Sequence, residues 1–351
     1  MLIEGVFAAV TTPFYPDERV YYRKLEANIA RYSRSLLAGM VVLGSTGEAP
    51  ALDDTETKEV LRIAAEAAAP DKVLIAGLNR ESLHSVLHLA ETAAVAQYDA
   101  VLVRTPTYYS TQMTPEVVAN YFRAVADCSP LPVILYNIPR CVPYQIPVEM
   151  VAELAHHPNI IAIKDSSGSL DRIKGTVEAT RTVPRRTVTV TPVFEAVTGR
   201  MMNQTVKLAQ TFVPAANLSE GPAVAVAPPT AKPKTRTREV GFQVLTGSAS
   251  IILPSLEAGA SGAILGFGAC APEACYEVYF AWKDRDPKLA ALKQQHIDKA
   301  SQHITAQLGI AGIKYACDFN GYYGGYPRQP LLPLTARQKA EVEALLAEIR
   351  N

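Results

Sequence analysis

Residues 132–139 read PVILYNIP, and residues 160–166 read IIAIKDS. Each stretch is an almost continuous apolar run with one polar side chain near its end, Tyr136 in the first and Lys164 in the second. Continuous apolar runs, as opposed to alternating ones, indicate strands that are buried on both faces, as in parallel sheets. The chain between the two runs is long enough for a helix, so the pair is typical of a β-α-β unit.

Six further runs of the same kind extend this pattern over the chain. They are GVFAAVTTP from Gly5, GMVVLGS from Gly39, VLIAGL from Val73, AVLVRTP from Ala100, VLTGSA from Val244 and GAILGFG from Gly262. Helical patterns lie between them; DDTETKEVLRIAAEAA, residues 53–68, for example, has Asp53 or Asp54 as its N-cap. Eight strands that alternate with helices predict a (β/α)8 barrel, with a doubly wound parallel sheet as the alternative.

The regular spacing breaks once, between the sixth and the seventh predicted strand. An insertion at about residues 183–238 fills this gap. Within it, TVTVTPVF at 187–194 predicts a strand, residues 196–212 a short helix, and the proline-rich residues 224–238 an extended linker. A connection from a helix to the next strand lies at the bottom of a barrel, so we expect the insertion to lie away from the active site unless it reaches a neighbouring subunit. The alternative to a flexible surface excursion is an element that binds a partner.

The predicted domain organisation is therefore a barrel over residues 1–284 and a helical extension over residues 285–351. The clearest helix of the extension is TARQKAEVEALLAEIR, residues 335–350, whose apolar residues form one stripe.

Composition excludes several classes of function. Lysine plus arginine and aspartate plus glutamate both number 34, so the net charge is zero, which argues against a nucleic-acid-binding protein. No run of 18 apolar residues predicts a membrane span, and no signal peptide is evident. The five cysteines form no CxxC pair and indicate reduced thiols, so we expect a cytoplasmic protein.

Active sites of such barrels lie at the carboxyl ends of the strands, and Lys164 is the one lysine at a predicted strand end. Burial disfavours the charged form of an amine, and a neutral amine can attack a ketone to form a Schiff base. Tyr136, one strand earlier, could then move protons. The alternative is a structural lysine that forms a salt bridge at the barrel rim.

The end of the second predicted strand reads GSTGE, residues 44–48. Ser45 and Thr46 offer hydroxyl groups, and the turn around Gly47 offers backbone N–H groups that suit a carboxylate. The stretch is not a Walker loop, because no GK[ST] sequence follows.

Several motifs together resemble a known family. GSTGE, YNIP at 136–139, IAIKDSSG at 161–168 and GIAGIKYACDFNGYYGGYPRQPLLPL at 309–334 resemble the N-acetylneuraminate lyase/dihydrodipicolinate synthase superfamily. TPTYY, HPNIIAIKDSSG and GYYGGYPRQPL look most like 4-hydroxy-2-oxoglutarate aldolase and its bacterial relatives. The resemblance covers nearly the whole chain except residues 183–238. It implies a homotetrameric class I lyase that needs no cofactor and forms a Schiff base with pyruvate or another 2-oxo acid.

The resemblance also implies roles for individual residues. The Schiff-base lysine corresponds to Lys164, the proton-relay tyrosine to Tyr136, and its hydroxyl partner to Ser45 or Thr46, which would also bind the pyruvate carboxylate. A second relay tyrosine, which in the family enters a neighbouring subunit's site, corresponds to Tyr108 or Tyr109. The remaining substrate-binding positions are Gly47, Ser166, Gly247 and Ile264.

One position departs from the family pattern. The synthases carry an arginine two residues after YNIP, and here that position is Cys141, with Arg140 one residue earlier. An aldolase for a 4-hydroxy-2-oxo acid is therefore the first hypothesis. The alternatives are dihydrodipicolinate synthase, which condenses pyruvate with aspartate semialdehyde, a 2-oxo-acid dehydratase, and a non-catalytic 2-oxo-acid binder.

The sequence predicts no metal site. His84 and His88 have the i, i+4 spacing of metal ligands, but they lie opposite the apolar stripe of their helix, so we expect a solvent-exposed face. The glycine-bearing ends of the seventh and eighth predicted strands could form a phosphate site of the kind common in barrels. The tyrosine-rich segment near residue 322 is predicted to pack above the rim.

Overall fold

The computed structural model describes residues 1–203 and 234–349. Eight parallel strands form a closed barrel, in the circular order β1-β2-β3-β4-β5-β6-β9-β10. The barrel strands are β1 (Gly5–Ala9), β2 (Gly39–Val42), β3 (Val73–Gly77), β4 (Ala100–Arg104), β5 (Val133–Asn137), β6 (Ile160–Asp165), β9 (Gln243–Thr246) and β10 (Gly262–Leu265). The predicted (β/α)8 barrel is confirmed.

Helices connect the strands and cover the outside of the barrel. They are α1 (Tyr22–Ser33), α2 (Asp54–Ala67), α3 (Leu83–Val95), α4 (Pro115–Cys128), α5 (Val148–Leu154), α6 (Leu170–Ala179), α7 (Ile252–Glu257) and α8 (Pro272–Lys283). Asp53 is the N-cap of α2: its carboxylate accepts the N–H of Glu56, and the Glu56 side chain accepts the N–H of Asp53.

The strands read as continuous apolar runs because both of their faces are covered. Side chains that alternate along each strand, such as Phe7, Ile134 and Ile264, fill the barrel interior, while those between them pack against the helices. Burying one such side chain stabilises the fold by about 1.5–3 kcal/mol. The carboxyl ends of the strands form one rim of the barrel. The helical connections return the chain to the opposite rim, where the next strand begins.

Part of the insertion before the seventh barrel strand is an antiparallel ribbon. Strand β7 (Arg186–Val190) pairs with β8 (Arg236–Val240), and residues 199–203 are helical. The predicted strand at 187–194 is thus confirmed over part of its length. Residues 236–238, which the sequence assigned to a linker, belong to β8 because they pair with β7. Residues 196–198 of the predicted helix are not helical, and residues 234–235 of the predicted linker precede β8. Residues 204–212 and 224–233 lie outside the described residues.

The ribbon and its flanks contact the amino-terminal ends of the barrel strands. Arg186 donates from Nη2 to the carbonyls of Ala155, His157 and Ile160, each at 2.9 Å, just before or at the start of β6. Leu2, which precedes β1, packs against the apolar side chains of the ribbon. The described part of the insertion therefore lies at the end of the barrel opposite the rim that carries Lys164.

Further helices follow the barrel, as predicted. These are α9 (Pro287–Ser301), a π-helical segment (Gln302–Gln307), α10 (Gly309–Phe319) and α11 (Ala336–Leu346). Thr335 caps α11, and Val342 and Leu346 are its buried residues. The boundary between barrel and extension at 284/285 stays a prediction. Within residues 1–203 and 234–349, no helix has the length and apolar character that a membrane crossing requires.

Candidate active site

Lys164 and Tyr136 lie side by side at the carboxyl ends of β6 and β5. They are register partners in the parallel pair, and their side chains are only 3% and 4% exposed. The Lys164 Nζ lies 3.4 Å from the Tyr136 Oη and 4.4 Å from the centre of the tyrosine ring. A buried amine is thus in direct contact with a phenol.

This pairing depends on an irregularity in the sheet. Val133 pairs with Ile160, but the next residue, Ile134, pairs with Ala162, so Ile161 is an extra residue in β6. Bulges of this kind occur next to active sites, where they redirect side chains. Without the extra residue, Lys164 would no longer be the register partner of Tyr136.

The turn after β2 brings a third polar group to the phenol. Ser45 begins a short 3-10 turn, Ser45–Gly47, and its Oγ lies 3.4 Å from the Tyr136 Oη. Gly47 sits close to the backbone of β1: a Cβ there would lie 3.1 Å from the Val10 carbonyl oxygen. The Thr12 hydroxyl donates to the Gly47 carbonyl at 2.7 Å and fixes the turn.

The remaining predicted binding residues lie at or near the carboxyl ends of the strands or in the barrel interior. Thr46 is buried, and its hydroxyl oxygen would be 3.2 Å from a Cβ on Gly266, just after β10. Ser166 and Gly247 touch each other, because a Cβ on Gly247 would lie 2.0 Å from the Ser166 Oγ. Ile264 is fully buried in the interior cluster that also contains Tyr136.

The neighbours of Tyr136 and Lys164 in sequence form a second layer of polar contacts. The buried Asp165 carboxylate accepts from the Asn137 amide at 2.9 Å, from the Ser167 N–H at 2.9 Å and from Arg172 Nε at 3.1 Å. Asn137 in turn accepts the N–H of Ile146 at 3.1 Å. These contacts hold the loops after β5 and β6, next to Tyr136 and Lys164.

A buried ion pair lies directly behind the Ser45–Gly47 turn, and sequence reasoning missed it. Glu48 has a left-handed backbone, with φ of 53°, and its carboxylate pairs with the fully buried Lys314 of α10. The Arg328 N–H donates to the same carboxylate at 2.8 Å, and Lys314 donates to the Tyr326 carbonyl at 2.6 Å. Burial lowers the pKa of Lys314, and the Glu48 carboxylate opposes that shift. The helical extension thus supports the turn.

The tyrosine-rich segment of the extension packs against α1 and the residue that precedes it. Tyr322 stacks on Tyr32 with ring centres 4.5 Å apart, and Tyr323 meets Tyr21 edge to face at 5.2 Å.

Tyr108 and Tyr109 lie apart from Lys164 within the chain. They follow β4 on the same rim, but their side chains are exposed, at 80% and 61%. Their predicted role in a neighbouring subunit stays a prediction.

Arg140 and Cys141, where the sequence departs from the family pattern, differ in their contacts. Cys141 is exposed. Arg140 donates to the carbonyls of Ala306 at 2.6 Å and Thr305 at 3.5 Å, both in the π-helical segment. In this structure the Arg140 guanidinium therefore binds backbone carbonyls of the helical extension.

The histidines at metal-ligand spacing are on the outside of the molecule. His84 and His88 are exposed on α3, as predicted. Within residues 1–203 and 234–349, no group of three or more His, Cys, Asp or Glu side chains could hold a metal ion. Independence from metals and cofactors stays a prediction.

Comparison with known proteins identifies the family. The family model described as the dihydrodipicolinate synthetase family matches residues 2–186 and 230–349, with a gap inside the predicted insertion. The chain belongs to the dihydrodipicolinate synthetase family. Like other enzymes of this family, it is a class I lyase.

Curated relatives of this family member carry two kinds of name. A 4-hydroxy-tetrahydrodipicolinate synthase of Natronomonas pharaonis is 26% identical over 347 residues, which cover 99% of this chain and 98% of the relative. An L-threo-3-deoxy-hexylosonate aldolase of Hypocrea jecorina is 29% identical over 354 residues, covering 99% and 95%. The names support membership of an aldolase and synthase family. They do not decide the substrate of this chain.

Solved structures of the family have the same fold. A dihydrodipicolinate synthase of Bacillus anthracis superposes with a TM-score of 0.79 at 22% identity and covers 100% of both chains. YagE, a prophage protein of the dihydrodipicolinic acid synthase family from E. coli K12 solved in complex with pyruvate, superposes with a TM-score of 0.77 at 23% identity and covers 99% of both. The family model confirms the predicted superfamily, whereas the suggested closeness to 4-hydroxy-2-oxoglutarate aldolase stays a prediction.

Proposed function

We propose that this enzyme is a Schiff-base aldolase that cleaves or forms a carbon–carbon bond in a 4-hydroxy-2-oxo acid, with pyruvate as product or donor. The supporting observation is that the Tyr136 Oη lies 3.4 Å from the Lys164 Nζ and 3.4 Å from the Ser45 Oγ. Such distances are long for hydrogen bonds, but catalytic contacts often shorten when substrate binds.

The proposed reaction assigns one step to each group. Lys164 adds to the C2 carbonyl, and loss of water, protonated through Tyr136, leaves an iminium. The C3–C4 bond then breaks, its electron pair converts the iminium into an enamine, and the C4 hydroxyl proton passes to Tyr136 as the aldehyde leaves. Protonation at C3 and hydrolysis release pyruvate and the free amine.

The Ser45–Gly47 turn is proposed to bind the carboxylate next to the ketone. Its hydroxyls and N–H groups are donors, and a hydrogen bond to a carboxylate is about twice as strong as one between neutral groups. Ser45 lies 3.4 Å from the Tyr136 Oη, so a substrate carboxylate at the turn would place the carbonyl carbon near Lys164.

The contacts of Arg140 favour an aldehyde fragment without a negative charge. A carboxylate at the far end of the substrate needs a cation to replace its hydration. Arg140 is held by two carbonyls of the extension, and a cysteine such as its neighbour Cys141 cannot supply a positive charge. A neutral hydroxyaldehyde, of the kind that the name of the Hypocrea relative implies, is therefore preferred to aspartate semialdehyde.

We also propose a cytoplasmic homotetramer without a cofactor. Tyr108 or Tyr109 would complete the proton relay of a neighbouring subunit, and their exposure leaves them available for that contact.

Borohydride trapping tests the core of the proposal. Pyruvate and borohydride together should attach one reduced pyruvyl group to the peptide that contains Lys164, and Lys164→Met should remove it. An unlabelled wild-type enzyme would refute the Schiff base.

A substrate panel then decides the chemistry. Pyruvate release is measured from 4-hydroxy-2-oxoglutarate and from a 3-deoxy-2-oxo-hexonate, and condensation is measured with pyruvate plus aspartate semialdehyde. We expect the fastest turnover with the hexonate. A strong preference for the semialdehyde would make the enzyme a dihydrodipicolinate synthase. Loss of water without cleavage would indicate a dehydratase, and an adduct without turnover a binding protein.

A further inference from the structure

A buried arginine lies at the strand end next to Lys164 and Tyr136. Arg104 is the last residue of β4, and it continues the inward alternation of Ala100 and Leu102. It is the register partner of Tyr136 and is only 8% exposed. A buried guanidinium requires partners that compensate its charge and its donors.

Those partners connect three neighbouring strand ends. Arg104 donates to the Glu81 carboxylate at 2.6 Å, to the Thr105 carbonyl at 2.9 Å and to the Asn79 side-chain oxygen at 3.3 Å. The Asn79 amide donates to the Leu43 carbonyl at 2.5 Å, at the end of β2. The ends of β2, β3 and β4 therefore form one polar network.

Glu81 carries this network into the loop after β4. Its carboxylate accepts the Thr107 N–H at 2.7 Å, the Thr107 hydroxyl at 2.9 Å and the Tyr108 N–H at 3.0 Å, in addition to Arg104. Four donors therefore meet one carboxylate, and two of them are backbone groups of the segment that carries the exposed tyrosines. The side chains of Tyr108 and Tyr109 have few contacts of their own to fix them, since they are 80% and 61% exposed.

We propose that Glu81 and Arg104 are positioning residues, which hold the loop after β4 so that Tyr108 or Tyr109 reaches the proton relay of a neighbouring subunit. The inference rests on the proposed function. Arg104 fixes the carboxylate to the barrel, and the carboxylate fixes the backbone at Thr107 and Tyr108. A relay group must be held close to its productive position, because a displacement of about 1 Å can lower the rate by about 10²-fold.

A neighbouring ion pair provides a matched control. Arg80 donates to Asp54 at 2.8 Å on the same rim, one residue before Glu81 in sequence. The hydrogen bonds of Arg80 to Asp54 and Thr57 join α2 to the loop after β3 and do not involve the loop after β4. Asp54→Asn therefore removes a rim ion pair without releasing the tyrosines.

The first experiment compares Glu81→Gln, Arg104→Lys and Asp54→Asn. We expect Glu81→Gln to lower kcat by about 10- to 100-fold with little change in KM, while borohydride still traps pyruvate on Lys164. Arg104→Lys keeps the charge and should retain more activity than Glu81→Gln, and Asp54→Asn should stay within about twofold of wild type. Circular dichroism and oligomer size show that each variant is folded. A folded Glu81→Gln enzyme with wild-type kcat would overturn the proposal.

Mixed oligomers distinguish an effect of Glu81 on the site of a neighbouring subunit from a structural effect within its own subunit. Lys164→Met chains lack the nucleophile but keep an intact loop, and Glu81→Gln chains keep the nucleophile but lack the loop anchor. Co-expressed with different tags and purified as mixed oligomers, they should show activity well above that of either variant alone, because the intact loop serves the neighbour's lysine. No gain in mixed oligomers would overturn the action on a neighbouring subunit. An absent adduct in the wild type would instead refute the proposed function, and this inference with it.

Discussion

Lys164 and Tyr136 are register partners on adjacent parallel strands, and the amine of one lies 3.4 Å from the phenol of the other. Neither side chain is more than 4% exposed. Proton transfer between the substrate and the phenol would thus take place in a site with little access to bulk water, where a positioned acid–base group is most effective.

Tyr136→Phe should therefore slow turnover far more than it slows pyruvate binding. Loss of a general acid–base group costs about 10²–10⁴-fold in rate, and we expect kcat to fall in that range. Ser45→Ala should have a smaller effect, and the double variant should be no worse than Tyr136→Phe, because both act through one relay. Steady-state kinetics on the best substrate measure all three.

The control for this prediction is Tyr98→Phe. Tyr98 is buried as well, but it precedes β4, and its hydroxyl donates to the Leu61 carbonyl at 3.1 Å. This variant loses the same phenolic oxygen at the opposite end of the barrel, so kcat should change by less than about twofold. A Tyr136→Phe enzyme as active as Tyr98→Phe would exclude Tyr136 from the relay.

The barrel itself could be predicted because its signals are local. Each buried strand is a continuous apolar run, and several helices have a side-chain N-cap, such as Asp53 before α2 and Ser82 before α3. The end of each run also shows which residues reach the rim, so the amino-acid sequence was enough to place Lys164 and Tyr136 there.

The contacts missed from the sequence all depend on residues far apart in the chain. Glu48 meets Lys314 only after the extension has packed, and Glu81 meets Arg104 only through the register of β3 and β4. One feature of the sequence could have revealed Arg104, because it continues the alternation of inward-facing residues along its strand. Ribbon strand β8 was missed for the same reason: its partner β7 is distant in sequence.

Thiol reactivity tests the packing of the barrel against the extension. Cys270, Cys275 and Cys317 are buried, and Cys128 and Cys141 are exposed. Burial raises the pKa of all three inner thiols, that of Cys317 to about 12, so few thiolates form at neutral pH.

Ellman's reagent should therefore label two thiols in the native enzyme and five after unfolding in guanidinium chloride. Cys141→Ser should remove one of the two fast-reacting thiols. A third fast thiol in the native enzyme would show that the extension does not cover the inner cysteines.

Arg186 provides a test of the insertion as a stabilising element. Its three hydrogen bonds join the ribbon to the start of β6, at the opposite end of that strand from Lys164. Arg186→Met should lower the free energy of unfolding by about 1–3 kcal/mol, the cost of leaving buried partners unsatisfied, while kcat stays unchanged. The neighbouring Arg185 is exposed, so Arg185→Met is the matched control. Urea unfolding and steady-state kinetics on both variants test this prediction. Loss of activity in a folded Arg186→Met enzyme would contradict a purely structural role of the insertion.

The pH dependence of stability gives an independent measure of the Glu81 anchor. Burial alone would raise the pKa of Glu81, but the N–H of Tyr108, the Arg104 guanidinium and Thr107 together lower it to about 2 from an ordinary value of 4.5. A carboxyl group whose pKa is lowered by folding stabilises the native state above its unfolded pKa, and this contribution disappears as the pH falls through the folded value. The difference in unfolding free energy between wild type and Glu81→Gln should therefore be constant near neutral pH. It should shrink from about pH 4.5 towards pH 2. Urea titrations of both proteins at pH 7, 4 and 3 measure it, and an unchanged difference at pH 3 would mean that the charge of Glu81 does not anchor the loop.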